Sequence, residues 1–148
     1  MFEQYNFVKS FANGGIYCEH IGIDKEKADY KLVKNIGIEF AKMGEEVKAN
    51  TEIHFKSAEY PKVFGLLLGT KYERKCPDLT VGIKFYEVKS FVPPMTKRSL
   101  SNMFSKALSQ SNNIVAYFGL YPPTQIGKNP VKTPLKKVSK CQFLVKIC

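Results

Sequence analysis

The chain has 148 residues, 44% of them apolar, which suits one ordinary domain whose core needs no disulfide staple. Lys and Arg outnumber Asp and Glu by 23 to 13, and the excess is one-sided: every acidic residue lies at or before Glu87, while residues 88–148 carry ten Lys or Arg and no acid. Such a field captures polyanions, so nucleic acid is the expected partner; a membrane is not, because the longest apolar stretch, Val63 to Leu68, is far too short to cross a bilayer. The opening Met1-Phe2-Glu3-Gln4-Tyr5 lacks a basic segment leading into an apolar one, so no signal peptide is predicted. Cysteines 18, 76, 141 and 148 have neither C-x-x-C nor zinc spacing and read as reduced thiols, which points to the cytoplasm.

Residues 3–11 and 16–23 read as two short strands joined at Asn13-Gly14-Gly15. The spacing of Ala28, Leu32, Val33, Ile36, Phe40 and Met43 predicts a helix over 27–43, with Gly44 where a C-cap belongs. Residues 46–55 alternate: Val47, Ala49, Thr51, Ile53 and Phe55 share one face of a strand, with Glu46, Lys48, Asn50, Glu52 and His54 on the other. Residues 56–75 show no clear period, and 65–69 fits either a short helix or a buried loop. A hairpin over 78–81 and 84–91 turns at Gly82-Ile83, and Pro93-Pro94 ends it. Leu100, Met103, Phe104, Ala107 and Leu108 predict an amphipathic helix over about 97–110. The run Ile114 to Leu120 suits a buried strand, 121–137 a basic loop rich in Pro and Gly, and Cys141 to Ile147 a last strand. The expected fold is α/β (α+β): a single domain over 1–148 with an α-β-β-β-α-β core over about 28–118. It has a mixed central sheet, an extra N-terminal hairpin and a C-terminal strand.

The chemistry concentrates at Asp78, Glu87 and Lys89. Glu87 and Lys89 are two apart on a strand and so share a face. Asp78 and Glu87 lie at equal separations from the Gly82-Ile83 turn, which sets them opposite each other, where like charges repel. A divalent metal and the Lys89 ammonium are the simplest compensation. Two carboxylates and little else is a donor set that suits Mg²⁺, which keeps waters and takes substrate phosphate as ligand. Lys89 could orient or deprotonate the attacking water or offset charge on phosphorus. The flanks Phe85, Tyr86, Val88 and Phe91 predict a strand covered on both faces, where charges are rare unless paired. The bland alternative is a structural Glu87–Lys89 salt bridge. Glu39 follows Leu32 by seven residues, about 20° short of two helical turns, so it borders the apolar stripe either as a third site acid or as an edge glutamate.

The pattern Pro77-Asp78 then Glu87-Val88-Lys89, in that order of elements, resembles the PD-(D/E)XK nuclease superfamily. The resemblance implies phosphodiester hydrolysis, Mg²⁺ or Mn²⁺ bound by Asp78 and Glu87, Lys89 as catalytic lysine and Glu39 as helix-borne acid. Locally, Glu73-Arg74-Lys75-Cys76-Pro77-Asp78, Phe85 to Ser90 and Lys106-Ala107-x-x-Gln110-Ser111 are also similar to C-terminal tRNase domains of contact-dependent inhibition toxins and related mobile-element proteins. Some of those have the barnase/EndoU/colicin/RelE-type fold and cut RNA without metal. That likeness adds an immunity or regulatory protein as a partner. With no delivery region before its first methionine, the chain is not expected to act as a secreted toxin.

Lys97, Arg98, Lys106 and Gln110 on the second helix, among Ser99, Ser101, Ser105 and Ser109, can hold a phosphate backbone without reading sequence. His54 reads as a surface histidine and, without metal, as a candidate general base. Tyr5, Phe7, Phe11 and Tyr17 read as core or as base-stacking residues. A catalytically inactive nucleic-acid- or partner-binding module is the remaining alternative.

Overall fold

A computed structural model of the chain describes residues 3–90, 96–117, 135–138 and 141–147. The Pro93-Pro94 stop, the end of the apolar run at 118–120, most of the basic loop and Cys148 lie outside the described residues. The chain divides into two compact units, Met1–Phe85 and Tyr86–Cys148.

The first unit runs β1 (Tyr5–Ser10), β2 (Ile16–His20), α1 (Tyr30–Lys42), β3 (Glu46–Ala49), α2 (Tyr60–Phe64), a 3₁₀ turn at Gly65–Leu67 and β4 (Leu79–Val81). Its strand order is β1-β2-β3-β4. β2 and β3 are parallel, bridged by α1; β1 and β4 add antiparallel. Between Phe7 and Lys9 the β1–β2 register slips, leaving Val8 as an extra residue.

The helix starts later than its apolar spacing predicts, because Lys27 and Ala28 lie in turns and Asp29 takes the N-cap position. From there the pattern holds: Val33, Ile36, Gly37, Phe40 and Ala41 are buried at helical spacing. Gly44 closes the helix with φ of 93°, as a residue without Cβ can, and its N–H donates to the Ala41 carbonyl. Gly37 permits close packing on β2, since a Cβ there would sit 2.5 Å from the Tyr17 ring.

The expected strand over 46–55 stops at Ala49. Beyond Asn50 the chain turns away, and Ile53 joins Tyr60, Phe64, Leu67, Tyr72 and Phe85 in a second apolar cluster, with Phe55, Val63 and Cys76 packed against it. This cluster explains why 56–75 shows no period. Its ring-on-ring contacts, Tyr60 with Phe64 at 5.2 Å and Phe64 with Phe85 at 6.0 Å, join a short helix to the strand that follows the Gly82-Ile83 turn.

β5 (Lys84–Ser90) follows the Gly82-Ile83 turn, starts in the first unit and continues into the second. The second unit adds α3 (Lys97–Leu108), β6 (Asn113–Tyr117), β7 (Leu135–Val138) and β8 (Cys141–Ile147), ordered β5-β6-β8-β7. β5 and β6 are parallel, with Glu87 beside Ile114 and Lys89 beside Ala116; β8 is antiparallel to β6 and β7. Thr96 caps α3 through a reciprocal capping box with Ser99.

The fold is therefore α+β with mixed strand pairing, and α1, β3, β4, β5, α3 and β6 follow the expected core order, with α2 inserted. Another expectation fails: residues 135–137, taken as the end of the basic loop, form β7 together with Val138, so two C-terminal strands follow β6. Among the described residues no helix is long and apolar enough to cross a membrane.

Candidate functional site

Pro77-Asp78 is held by a buried polar clamp centred on Asn50, which is 8% exposed. The Asn50 amide donates through Nδ2 to the Pro77 carbonyl at 3.0 Å and to Thr80 Oγ1 at 2.9 Å, and Oδ1 accepts from the Tyr5 hydroxyl at 2.7 Å. Its backbone N–H donates to the Asp78 carbonyl at 2.8 Å, extending the β3–β4 ladder by one rung. An asparagine so satisfied fixes the backbone on which Asp78 stands. Burial pushes the Tyr5 hydroxyl up from its ordinary value, with Glu59 and Cys18 adding to it, so Tyr5 stays a neutral donor.

Asp78 is half-buried and bends into β4. Partial burial would lower the Lys27 ammonium, yet Asp29, Asp78 and Glu52 outweigh it and hold Lys27 above the usual lysine value. Asp78 thus works in the field of a cation from the β2–α1 connection. Glu39 lies where α1 was expected to place it, half-buried at the edge of the apolar stripe, with its carboxylate 2.7 Å from Lys42 one turn on.

On β5, Phe85, Tyr86, Glu87 and Val88 are all buried, so the strand is covered on both faces as its flanks predict. Glu87 is 7% exposed, and its Oε1 lies 3.0 Å from the half-buried Lys89 ammonium. A carboxylate so buried is tolerated because a cation meets it on the same face. On α3, Lys97, Arg98 and Lys106 are exposed and Gln110, just past the helix, is half-buried.

The histidines divide by setting. His54 is exposed, and its Nδ1 accepts from the Lys56 N–H at 3.2 Å. His20 is 3% exposed, with Nδ1 accepting from the Gly22 N–H and Nε2 2.8 Å from Glu59 at the start of α2. Both its nitrogens are engaged, and it ties the end of β2 to α2. On the opposite, helix-facing side of β2, the buried Glu19 carboxylate accepts from Tyr17 at 3.2 Å and Tyr30 at 2.8 Å, with Lys34 at 3.8 Å. Of the aromatic residues on the first hairpin, Tyr5 and Tyr17 are core and Phe7 is 63% exposed.

Asn50, Tyr5, Thr80, His20 and Glu59 carry no local motif. Asn50 and Pro77 are 27 residues apart and His20 and Glu59 are 39 apart, so only the alternation of the strands hints at them. Among the described residues no three His, Cys, Asp or Glu side chains gather to hold a metal ion. The donors at issue are carboxylates, which suit a hard cation that keeps most of its own water. No family model matches the chain, and no curated protein or solved structure is significantly similar to it.

Proposed function

We propose that the chain is a cytoplasmic nuclease that hydrolyses phosphodiester bonds in DNA or RNA with the help of Mg²⁺ or Mn²⁺. The observation that carries this reading is the buried Glu87 carboxylate 3.0 Å from the Lys89 ammonium on a strand covered on both faces. Asp78, its backbone clamped by Asn50, and Glu87 are the two carboxylates that would hold the ion. The ion would supply Lewis-acid polarisation of the phosphoryl oxygen. Lys89 donates toward the attacking water or the non-bridging oxygens, and its ammonium offsets the charge that grows on phosphorus. Glu87 keeps that ammonium in place between turnovers. Lys97, Arg98 and Lys106 on α3 hold the backbone without reading bases.

The test is Mn²⁺ binding followed by electron paramagnetic resonance, beside cleavage of plasmid DNA and of total tRNA. Saturable binding of one Mn²⁺, lost in Glu87→Gln, together with cleavage that stops in EDTA, is the expected result. Undiminished cleavage in EDTA would move the protein to the metal-independent tRNases. Neither cleavage nor Mn²⁺ binding would leave a binding module for nucleic acid or for a regulatory protein.

A further inference from the structure

Arg74 is the only described non-glycine residue with a positive φ, at 74°. A side chain with Cβ is disfavoured there and glycine is not, so the turn would form more readily without an arginine. The turn is nevertheless tied on several sides. The Glu73 N–H donates to Thr70 and the Lys75 N–H to Tyr72, the fully buried Tyr60 donates its hydroxyl to the Lys75 carbonyl at 2.8 Å, and the Glu73 carboxylate accepts from the Gly69 N–H. The surroundings therefore impose the strained conformation, and strain of this kind collects at functional positions.

The conformation lays the exposed guanidinium over Phe55, with Cζ 4.8 Å from the ring centroid. Phe55 in turn meets Tyr60 edge-on at 5.4 Å, so the platform rests on the second apolar cluster. The guanidinium has no carboxylate partner among the described residues. The stretch 53–76 also carries Lys56, Lys62, Lys71 and Lys75. Its two acids are already engaged, Glu59 with His20 and Glu73 with the Gly69 N–H. The guanidinium is held over the Phe55 ring, and its N–H fork is the part that matches a phosphate.

We propose that Arg74 is a backbone-binding residue, a pre-ordered fork for a nucleic-acid phosphate placed just ahead of Pro77-Asp78. This rests on the nucleic-acid partner of the reading above but not on hydrolysis. Contact with Phe55 and the imposed turn reduce the entropy that a free arginine would lose on gripping a phosphate.

The experiment measures fluorescence anisotropy of a labelled 20-nucleotide single-stranded RNA and a duplex DNA of the same length with the full chain in EDTA, alongside thermal melts. Arg74→Gly removes the fork and relieves the turn, Arg74→Lys keeps the charge without the fork, and Lys62→Ala removes another exposed cation of the same stretch. For Arg74→Gly the expected result is an unchanged or higher Tm with affinity about tenfold weaker, the size of one lost charge-assisted contact. Lys62→Ala should stay within about twofold and Arg74→Lys should fall between, because a screened surface charge counts for less than a fixed fork. Arg74→Gly binding within about twofold of the parent, whatever its Tm, overturns the proposal. So does an equal loss in Lys62→Ala, which would reduce Arg74 to bulk charge. A parent chain that binds neither probe overturns this proposal and the nuclease reading together. Arg74-dependent binding by a chain that never cleaves removes hydrolysis alone.

Discussion

Asn50 donates from its side-chain amide to the carbonyl of Pro77 at 3.0 Å, and thereby fixes the residue ahead of Asp78 to the end of β3. Replacing Asn50 with Ala strips partners from the buried Tyr5 hydroxyl, Thr80 and the Pro77 carbonyl at once. A loss of about 2–4 kcal/mol in urea unfolding is expected, with cleavage falling further than stability alone explains because Asp78 loses its seat. Tyr5→Phe removes one of those bonds and should cost only about 1 kcal/mol. Equal losses from the two changes would show that the clamp does not act through Asn50.

Glu87 and Lys89 separate chemistry from architecture. With both in the proposed roles, Glu87→Gln and Lys89→Ala each lower turnover by about 10²-fold or more while nucleic-acid affinity holds. A pair that is only structural behaves in the opposite way, since removing Lys89 takes the cation from a buried carboxylate at a cost of about 3–5 kcal/mol. Thermal melts run beside a cleavage assay read both quantities on the same samples.

Lys97, Arg98 and Lys106 are exposed on α3, so changing them should leave the melt where it is. If they grip phosphates, the triple alanine variant lowers the slope of log affinity against log salt by about 2–3, as fewer counterions are released. A slope equal to that of the parent, measured from low to physiological salt, would remove α3 from the interface.

The alkaline limb of stability has a defined sign. Burial first, then the hydrogen bond to Glu19, pushes Tyr30 up to about 12, and burial with Glu19 raises Tyr17 from its ordinary 10.0 as well. The unfolded chain therefore loses these protons at lower pH than the native one. Their contribution is intact below about pH 10 and is lost as pH rises from there toward 12. Cys18, raised by burial from an ordinary 9.0, starts the decline slightly earlier. Urea unfolding from pH 8 to 12 should fall across that window. Tyr30→Phe should start lower at pH 8, for want of one hydrogen bond, and decline less steeply. Parallel pH curves would show that Tyr30 does not titrate with folding.

Local periodicity made α1, α3, the first hairpin and the covered β5 strand legible, because each element's burial is written in residues three, four or two apart. The Glu87–Lys89 pair was legible for the same reason, as two charges on one face of an apolar strand. The clamp at Asn50, the Glu19–Tyr30 bond and the His20–Glu59 tie were not, since each joins residues brought together only by β2–β3 parallel pairing and by the chain's return at β4. β7 was hidden differently: Leu-Lys-Lys-Val has no alternation and sits beside a stretch dense in Pro and Gly, so its strand state depends on pairing with β8.

The slip between Phe7 and Lys9 bears on how the protein behaves in a crowded solution. β1 ends the strand order and exposes Phe7 and Val8, sticky side chains on an open margin of hydrogen-bonding groups. A neighbouring chain laid along that margin would match for two or three residues and then fall out of step at Val8, with the Lys9 ammonium, drawn to 5.4 Å over Phe11, at the misfit. Propagation of a shared ladder from one molecule to the next would thereby be broken early, which is how a bulge blunts an apolar edge against edge-to-edge pairing.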